Sequence, residues 1–406
     1  MGDGYDVIVV GLGSMGSAAA AELARRGLAV LGLEQFGPAH DQGSAHGSTR
    51  IVRQSYFEGA AYVPLLRRAY EGWAALQEAT GRDLFTLCGG LYLGDPDSPV
   101  VRGSLESATV HGLEHELLDA DAIRARFPTL RPREHVVGLY EANAGFVRPE
   151  ETVLGHLDLA VRHGADLRFG EEVRQWTGTA GGGVEVVTAQ GTYGADRLVL
   201  APGAWAPDLL PDPTTLVVER QLLYWFAPAF TDAVPYARYA SPEHPVFIDD
   251  TDGLGEFYGF PMVDGPDGGL TVAFYRQGES TTTPQTVDRT VHAAEVAEVR
   301  RRALTLLPRL TGRVLRTATC FYCSTADDAF AVGTLPATPQ VTLAAGFSGH
   351  GFKFVPVVGE IVADLIQHGR TGHDIGLFDL TRAGFTGVTG AAGVTGAAGV
   401  TAERAS

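Results

Sequence analysis

Four consecutive β-branched residues, Val7-Ile8-Val9-Val10, run directly into Gly11-Leu12-Gly13-Ser14-Met15-Gly16, and this junction restricts the fold more than any other stretch of the chain. An alanine-rich helix is predicted from Ser17 to Arg26, closed by Gly27, and a second buried strand from Ala29 to Leu33 ends on Glu34. Strand, glycine turn, helix and second strand in this order make the unit that binds a dinucleotide. Gly11 permits the tight turn, Gly13 lets a pyrophosphate approach the helix N-terminus, and Gly16 lets helix and strand pack closely. Glu34 stands where a carboxylate can accept hydrogen bonds from an adenosine ribose. The four parts together are specific, but they do not separate FAD from NAD.

With 406 residues the chain exceeds what one core usually holds, so two domains are expected. A formal charge of -17 leaves nothing to neutralise a row of phosphates, which excludes nucleic acid as a partner. No stretch approaches the roughly 18 to 20 apolar residues of a membrane span. The chain enters its first strand with no charged leader, so a cytoplasmic enzyme is expected. Cys88, Cys320 and Cys323 are too few for a disulfide framework, and the Cys320-Phe321-Tyr322-Cys323 spacing lacks the ligand set of a zinc site, so no metal is expected.

Tyr62 to Thr80 reads as a helix, with Pro64 in its first turn, apolar positions at Val63, Leu66, Tyr70, Trp73 and Leu76, and Gly81 as its stop. Short apolar runs alternate with turns from Leu84 to Arg148, an α/β pattern returns from Pro149 to Pro213, and Leu216 to Thr319 is strand-rich with a helix at Thr290 to Leu307. The interleaving predicts an α/β protein of two interthreaded domains. Residues 1–80, 150–215 and 320–384 form the dinucleotide domain, 81–149 and 216–319 a substrate domain, and 385–406 a disordered tail. Of the 31 basic side chains only one is a lysine, Lys353, inside the run Gly346-Phe347-Ser348-Gly349-His350-Gly351-Phe352-Lys353. A position that keeps lysine against such an arginine preference calls for a compact, rotatable ammonium, and paired glycines let backbone approach a ligand.

That run, with Gly43-Ser44-Ala45-His46-Gly47-Ser48-Thr49-Arg50-Ile51-Val52-Arg53, Tyr62-Val63-Pro64, Gly203-Ala204-Trp205 and Cys320, resembles the monomeric sarcosine oxidase and N-methyltryptophan oxidase family, from about Tyr5 to about Leu380. The resemblance implies an FAD domain interleaved with a substrate domain on a large mixed β-sheet, FAD in preference to NAD, and a monomer. It implies hydride removal from the carbon beside a secondary amine nitrogen, leaving an imine that water hydrolyses. The small amine substrate would be held by its carboxylate between Arg50 and Lys353, since two cations from different segments give the grip direction. Cys320 matches the position of a thioether to the flavin, Tyr322 and Tyr258 match tyrosines of the substrate pocket, and His46 matches a histidine near the ring. Gly11, Gly13, Ser14, Met15, Gly16, Glu34, Gln35, Ser44, Thr49, Arg50, Val173, Gly203, Trp205, Cys320, Gly349, Gly351, Phe352 and Lys353 are the expected FAD contacts. Lys353 would open a helix from Phe354 to Gln367 whose positive end favours a reduced, anionic ring.

Two positions depart from the family. In Gly269-Leu270-Thr271-Val272-Ala273-Phe274-Tyr275-Arg276 the family carries lysine at Thr271 and histidine at Tyr275. That lysine would stabilise nascent superoxide, so dioxygen as the electron acceptor comes into question. Arg276 does not replace it, because side chains alternate along a strand. The alternatives are a flavin dehydrogenase or biosynthetic enzyme that reacts poorly with oxygen, a flavin-binding sensor, and an NAD dehydrogenase, in which Cys320 and Lys353 would have no role.

Overall fold

The computed structural model describes residues 4–212, 216–253, 255–278, 280–383, 385 and 393–394. Of the tail expected to be disordered, only Phe385 and Gly393–Val394 are among these: Phe385 is buried in a hydrophobic core, and Gly393–Val394 pairs with Trp176 and Thr177.

The first strand, Tyr5–Val10, lies inside a sheet, parallel to Val30–Glu34 on one side and to Thr192–Leu200 on the other. Burial on both faces explains its uninterrupted apolar run. Val7 and Val9 face a core built by helices, whereas Ile8 and Val10 face a second core with Leu198, Leu200 and Leu343. Asp166–Phe169 and Thr338–Ala345 extend the parallel part. Thr192–Leu200 also pairs antiparallel, through its first half, with Val184–Thr188.

Against the helical side packs Ser14–Arg25, a helix that starts three residues earlier than its sequence suggests, with Gly13 as its N-cap. Its alanines let Val355–His368 cross closely, and a Cβ added to Gly359 would lie 2.9 Å from the Ala18 carbonyl. The helix Val63–Thr80 buries Val63, Leu66, Tyr70, Trp73 and Leu76 and ends at Gly81 with φ +67°.

The second sheet is mixed. Its order is Leu310–Ser324, Val217–Pro228, Leu270–Phe274, Phe257–Gly259, Val246–Asp249, Gly90–Gly94, Val137–Glu141, Glu116–Asp119. Only the contact of Val246–Asp249 with Gly90–Gly94 is parallel. Leu310–Ser324 runs through the boundary placed at residue 320, so Cys320 belongs to this second sheet.

Alternation divides the sheet's faces. Leu222, Tyr224, Phe226, Phe257, Val272 and Phe274 pack with Val299, Ala303 and Leu306 of the helix Ala293–Leu306. Leu223, Trp225, Ala273 and Cys320 cluster on the other face, with Tyr258 against them. That face carries the chemistry described below. A three-stranded sheet of Arg50–Val52, Gly145–Val147 and Phe85–Leu87 completes the fold.

Candidate functional site

A cavity of about 900 Å³ begins at the glycine turn and runs to the inner face of the second sheet. Ligand pockets span roughly 300–1,000 Å³, so this one suits a ligand of dinucleotide size. Gly11, Gly13, Ser14, Met15, Glu34 and Gln35 line one end, Val173, Gly203 and Trp205 the flank, and Ser44, Arg50, Tyr322, Gly349, Gly351 and Phe352 the other end. Gly16, Thr49, Cys320 and Lys353 are not in its wall.

The glycine turn is shaped for a ligand. Gly11 takes φ +84°, and a Cβ there would come within 2.5 Å of the Ala201 carbonyl oxygen. A Cβ on Gly16 would overlap the carbonyl oxygen of Gly11, whereas one on Gly13 would meet no protein atom within 4 Å. Gly16 is therefore required by packing, and Gly13 keeps space beside the helix N-terminus clear. Glu34 accepts from the Leu12 and Phe36 amides at 2.9 and 3.0 Å, so its carboxylate holds the turn as well as facing the cavity.

In the segment after Gly43, Ser44 donates to the Phe321 carbonyl at 2.7 Å. Thr49 Oγ1 and His46 Nε2 are buried with no hydrogen-bond partner among the described residues, as groups awaiting a polar ligand would be. Burial, with Arg50 nearby, pulls the His46 pKa down to about 4, so its imidazole is neutral at pH 7. These features fit FAD.

The two cations expected to act together have different surroundings. Arg50 donates to the Thr49 and Ser44 carbonyls at 2.7 and 2.6 Å, and its charge acts on His46, Tyr258 and Cys320. Lys353 is buried, donates to the His350 carbonyl at 2.7 Å, and has Arg53, Glu58 and Glu256 as its charged neighbours. The cation brought to Lys353 is thus Arg53, to which sequence reasoning gave no task. Both meet at Tyr56: the Arg53 guanidinium carbon lies 4.4 Å, and Lys353 Nζ 5.1 Å, from the ring centre.

Arg53 is fully enclosed, donates to Glu58 at 2.5 Å and to the Ser55 carbonyl at 3.1 Å, and its Nε has no partner among the described residues. Burial, then Arg53, lowers the Lys353 pKa to about 7 against the pull of Glu58 and Glu256. His350 Nε2 faces the Asp328 carbonyl at 3.0 Å and so must donate there, leaving Nδ1 to accept from the Tyr56 hydroxyl at 2.5 Å. The helix expected to open at Lys353 begins at Val355, after a single 3-10 turn over Phe352–Phe354.

Tyr258 and Tyr322 lie near enough for their hydroxyls to act on each other, and the Tyr322 and Tyr275 rings lie 5.3 Å apart. Tyr275 donates to the Ser348 carbonyl at 2.6 Å. Burial raises the pKa of all three, so they serve as neutral donors and an aromatic wall. Cys320 is buried, and burial raises its thiol pKa while Arg50 and Arg289 oppose the rise. Arg289 ties that place to the flanking loop, donating to the Gln42 carbonyl at 2.7 Å. Cys323 lines the cavity, but burial pushes its thiol up to about 12.

Thr271 is buried opposite Trp225. Arg276 supplies no charge there, though the reason differs from simple alternation. The strand ends at Phe274, Arg276 takes φ +66°, and its guanidinium is bound to Glu219 and Asp328 at 3.0 and 2.7 Å.

A dinucleotide-binding sheet joined to a mixed sheet whose inner face closes one cavity defines a flavoenzyme-like oxidoreductase architecture. A model of the FAD dependent oxidoreductase family matches residues 6–365, and the chain belongs to that family. It is 53% identical over 381 residues to the monomeric sarcosine oxidase of Streptomyces avermitilis, covering 93% of this chain and 97% of that one. It is 34% identical over 382 residues to the N-methyl-L-tryptophan oxidase of Citrobacter koseri, covering 93% and 99%. Among solved structures, NikD, an unusual amino acid oxidase essential for nikkomycin biosynthesis, superposes in its open form with a TM-score of 0.80 at 26% identity, covering 93% and 97%. The protein is an FAD-dependent oxidoreductase. Among the described residues no helix is long and apolar enough to cross a membrane.

Proposed function

We propose that the protein oxidises the C–N bond of a small secondary amino acid, an N-methyl or other N-substituted glycine, and that the resulting imine is hydrolysed by water. FAD, when bound, supplies the hydride acceptor. The observation that carries this reading is the buried Lys353–Arg53 pair immediately beyond Gly349, Gly351 and Phe352, which line the cavity's inner end. Two buried cations from separate segments can fix a carboxylate in one orientation, and orientation is most of what a hydride transfer asks of a protein. Relatives named for sarcosine and N-methyl-L-tryptophan support the same substrate class.

Arg50, beside Cys320 and Tyr258, takes the ring side of the site in place of the carboxylate role expected for it. Tyr258, Tyr322 and Tyr275 exclude water from the reacting carbon, and Cys320 attaches FAD covalently. The sign of the Arg50 and Arg289 fields favours a thiolate there.

A second reading, a dehydrogenase or biosynthetic enzyme that gives its electrons to an acceptor other than dioxygen, is favoured by one observation. Thr271 is neutral, and so is His46, which leaves the oxygen-reacting face without the lysine its family carries. Incubation with a panel of N-methyl and cyclic amino acids, first without air and then with it, separates the readings. Flavin bleaching with peroxide in air indicates an oxidase, and bleaching without peroxide the dehydrogenase. No bleaching by any of them refutes the amine reading.

A further inference from the structure

Tyr56 and His350 lie beside the Lys353–Arg53 pair, one on each of the two segments that carry the cations, and both are buried. Neither belongs to the cavity wall. What they touch is the pair itself.

Lys353 is fixed from two sides. Trp73 Nε1 donates to its carbonyl at 3.0 Å, and its own ammonium donates to the His350 carbonyl at 2.7 Å. The first anchor stands on the helix Val63–Thr80, whereas the second stands on a turn in which His350 has glycine on both sides and Gly349 takes φ +76°. Glycine has no side chain with which to hold a turn and leaves its backbone the widest freedom. Between Gly349 and Gly351 the one side chain that can anchor the turn is that of His350, and it is bonded at both nitrogens. Nε2 donates to the Asp328 carbonyl at 3.0 Å, and Nδ1 accepts from the Tyr56 hydroxyl at 2.5 Å. Burial keeps both groups uncharged, lowering the imidazole pKa to about 4 and raising that of the phenol.

Tyr56 is itself held from outside that turn. Its carbonyl accepts from Ser107 Oγ of the helix Pro99–His111 at 2.5 Å, and its ring centre lies 5.1 Å from that of Tyr62 and 5.6 Å from that of Phe354. The Arg53 guanidinium carbon, at 4.4 Å, and Lys353 Nζ, at 5.1 Å, are both within the roughly 6 Å over which an aromatic ring attracts a cation. One ring thus draws together two like charges that would otherwise separate.

We propose that Tyr56 and His350 are positioning residues for the substrate's carboxylate. The Tyr56 hydroxyl, through the His350 side chain, fixes the carbonyl that holds the Lys353 ammonium, and the Tyr56 ring keeps Arg53 beside it. The inference rests on the carboxylate reading above and adds to it what sets the two cations in place before a ligand arrives. A grip ordered during folding has little left to order on binding, which is how preorganisation raises affinity.

Lys353 is the only lysine of the chain, so holoenzyme carrying lysine labelled with carbon-13 at Cε gives NMR signals from this side chain alone. With the ammonium held against one carbonyl and beside an aromatic ring, the two Cε protons have different surroundings and should show two distinct shifts in the unmodified protein. Y56F keeps the ring and removes only the hydroxyl, while H350Q keeps a side-chain donor for the Asp328 carbonyl and has no acceptor at the place of Nδ1. In each variant the two shifts should merge. (Methylthio)acetate, an acid whose sulfur stands in for the amine nitrogen, should bind each about twofold to tenfold more weakly by flavin absorbance. The double variant should bind no more weakly than either single one, because both break the same bond.

Two separate shifts persisting in Y56F and H350Q would show that this bond does not position Lys353, and that result overturns the proposal even if both variants melt at lower temperature. A single averaged shift in the unmodified protein does the same, as do merged shifts with unweakened binding, or losses that multiply in the double variant. Binding by K353M as tight as normal refutes the carboxylate reading itself, whatever the shifts in Y56F, and the inference falls with it.

Discussion

Substituting alanine for two glycines of the same turn should damage two different things. Gly13 has φ -70° and ψ -155°, a conformation alanine adopts without strain, and its Cβ would meet no protein atom. The apoprotein of Gly13→Ala should keep its stability within about 1 kcal/mol, because lost unfolded-state entropy and a poorer N-cap nearly offset each other. The added methyl instead occupies the space where a pyrophosphate would approach the helix N-terminus. An overpacking penalty of about 1–3 kcal/mol, felt only with ligand present, weakens FAD binding by roughly 5- to 150-fold.

Gly16→Ala behaves in the opposite way. Its Cβ would overlap the Gly11 carbonyl oxygen, an atom fixed by the turn, so strain enters the folded apoprotein itself. A loss of about 1–3 kcal/mol should lower its melting midpoint by roughly 2–6 °C. Apoproteins made under riboflavin limitation would be melted without ligand and then titrated with FAD by fluorescence quenching. If Gly13→Ala melts as low as Gly16→Ala, or binds FAD as the unmodified protein does, the division of labour between the two glycines is wrong.

Three further outcomes follow from the site. FAD should remain on the polypeptide after acid denaturation, and intact-mass measurement should find it retained in Cys323→Ser and lost in Cys320→Ser; bare mass in the unmodified protein refutes the attachment. Replacing either Arg53 or Lys353 by methionine should weaken a carboxylate ligand by about tenfold to a hundredfold, roughly 1.5–3 kcal/mol, by isothermal titration, and an unchanged affinity would move the acid site elsewhere. Reduced enzyme should reoxidise slowly in air, and Thr271→Lys should speed this at least about tenfold in stopped-flow mixing if the new ammonium stays charged, since a nearby unit charge is worth several kcal/mol at an effective dielectric near 20. Rapid reoxidation of the unmodified protein would show that Arg50 or Lys353 already activates oxygen.

What the sequence makes legible here is local order, and what it hides is which local pieces meet. The turn from Val10 to Gly16 is readable because its neighbours in sequence are its neighbours in space: Gly11 takes a positive φ, and Gly16 packs on Gly11. The same holds for Val63–Thr80, whose buried stripe follows helical spacing.

The pairing of Lys353 with Arg53, by contrast, joins parts of the chain 300 residues apart, and the motif around Thr49 offers two arginines. Arg50 opens the strand Arg50–Val52 and Arg53 lies just past its end, and the two guanidinium groups reach different neighbours, the Thr49 and Ser44 carbonyls for Arg50 and Glu58 for Arg53. A choice between Arg50 and Arg53 therefore had to be made, although only tertiary structure says which side Lys353 occupies. Arg276 was excluded from the oxygen side on alternation, yet the structure excludes it because the strand has already ended and two carboxylates hold the guanidinium. A charge in a sequence says little about function until its partners are known, as Arg276, held by Glu219 and Asp328, and Arg53, brought to Lys353, both show.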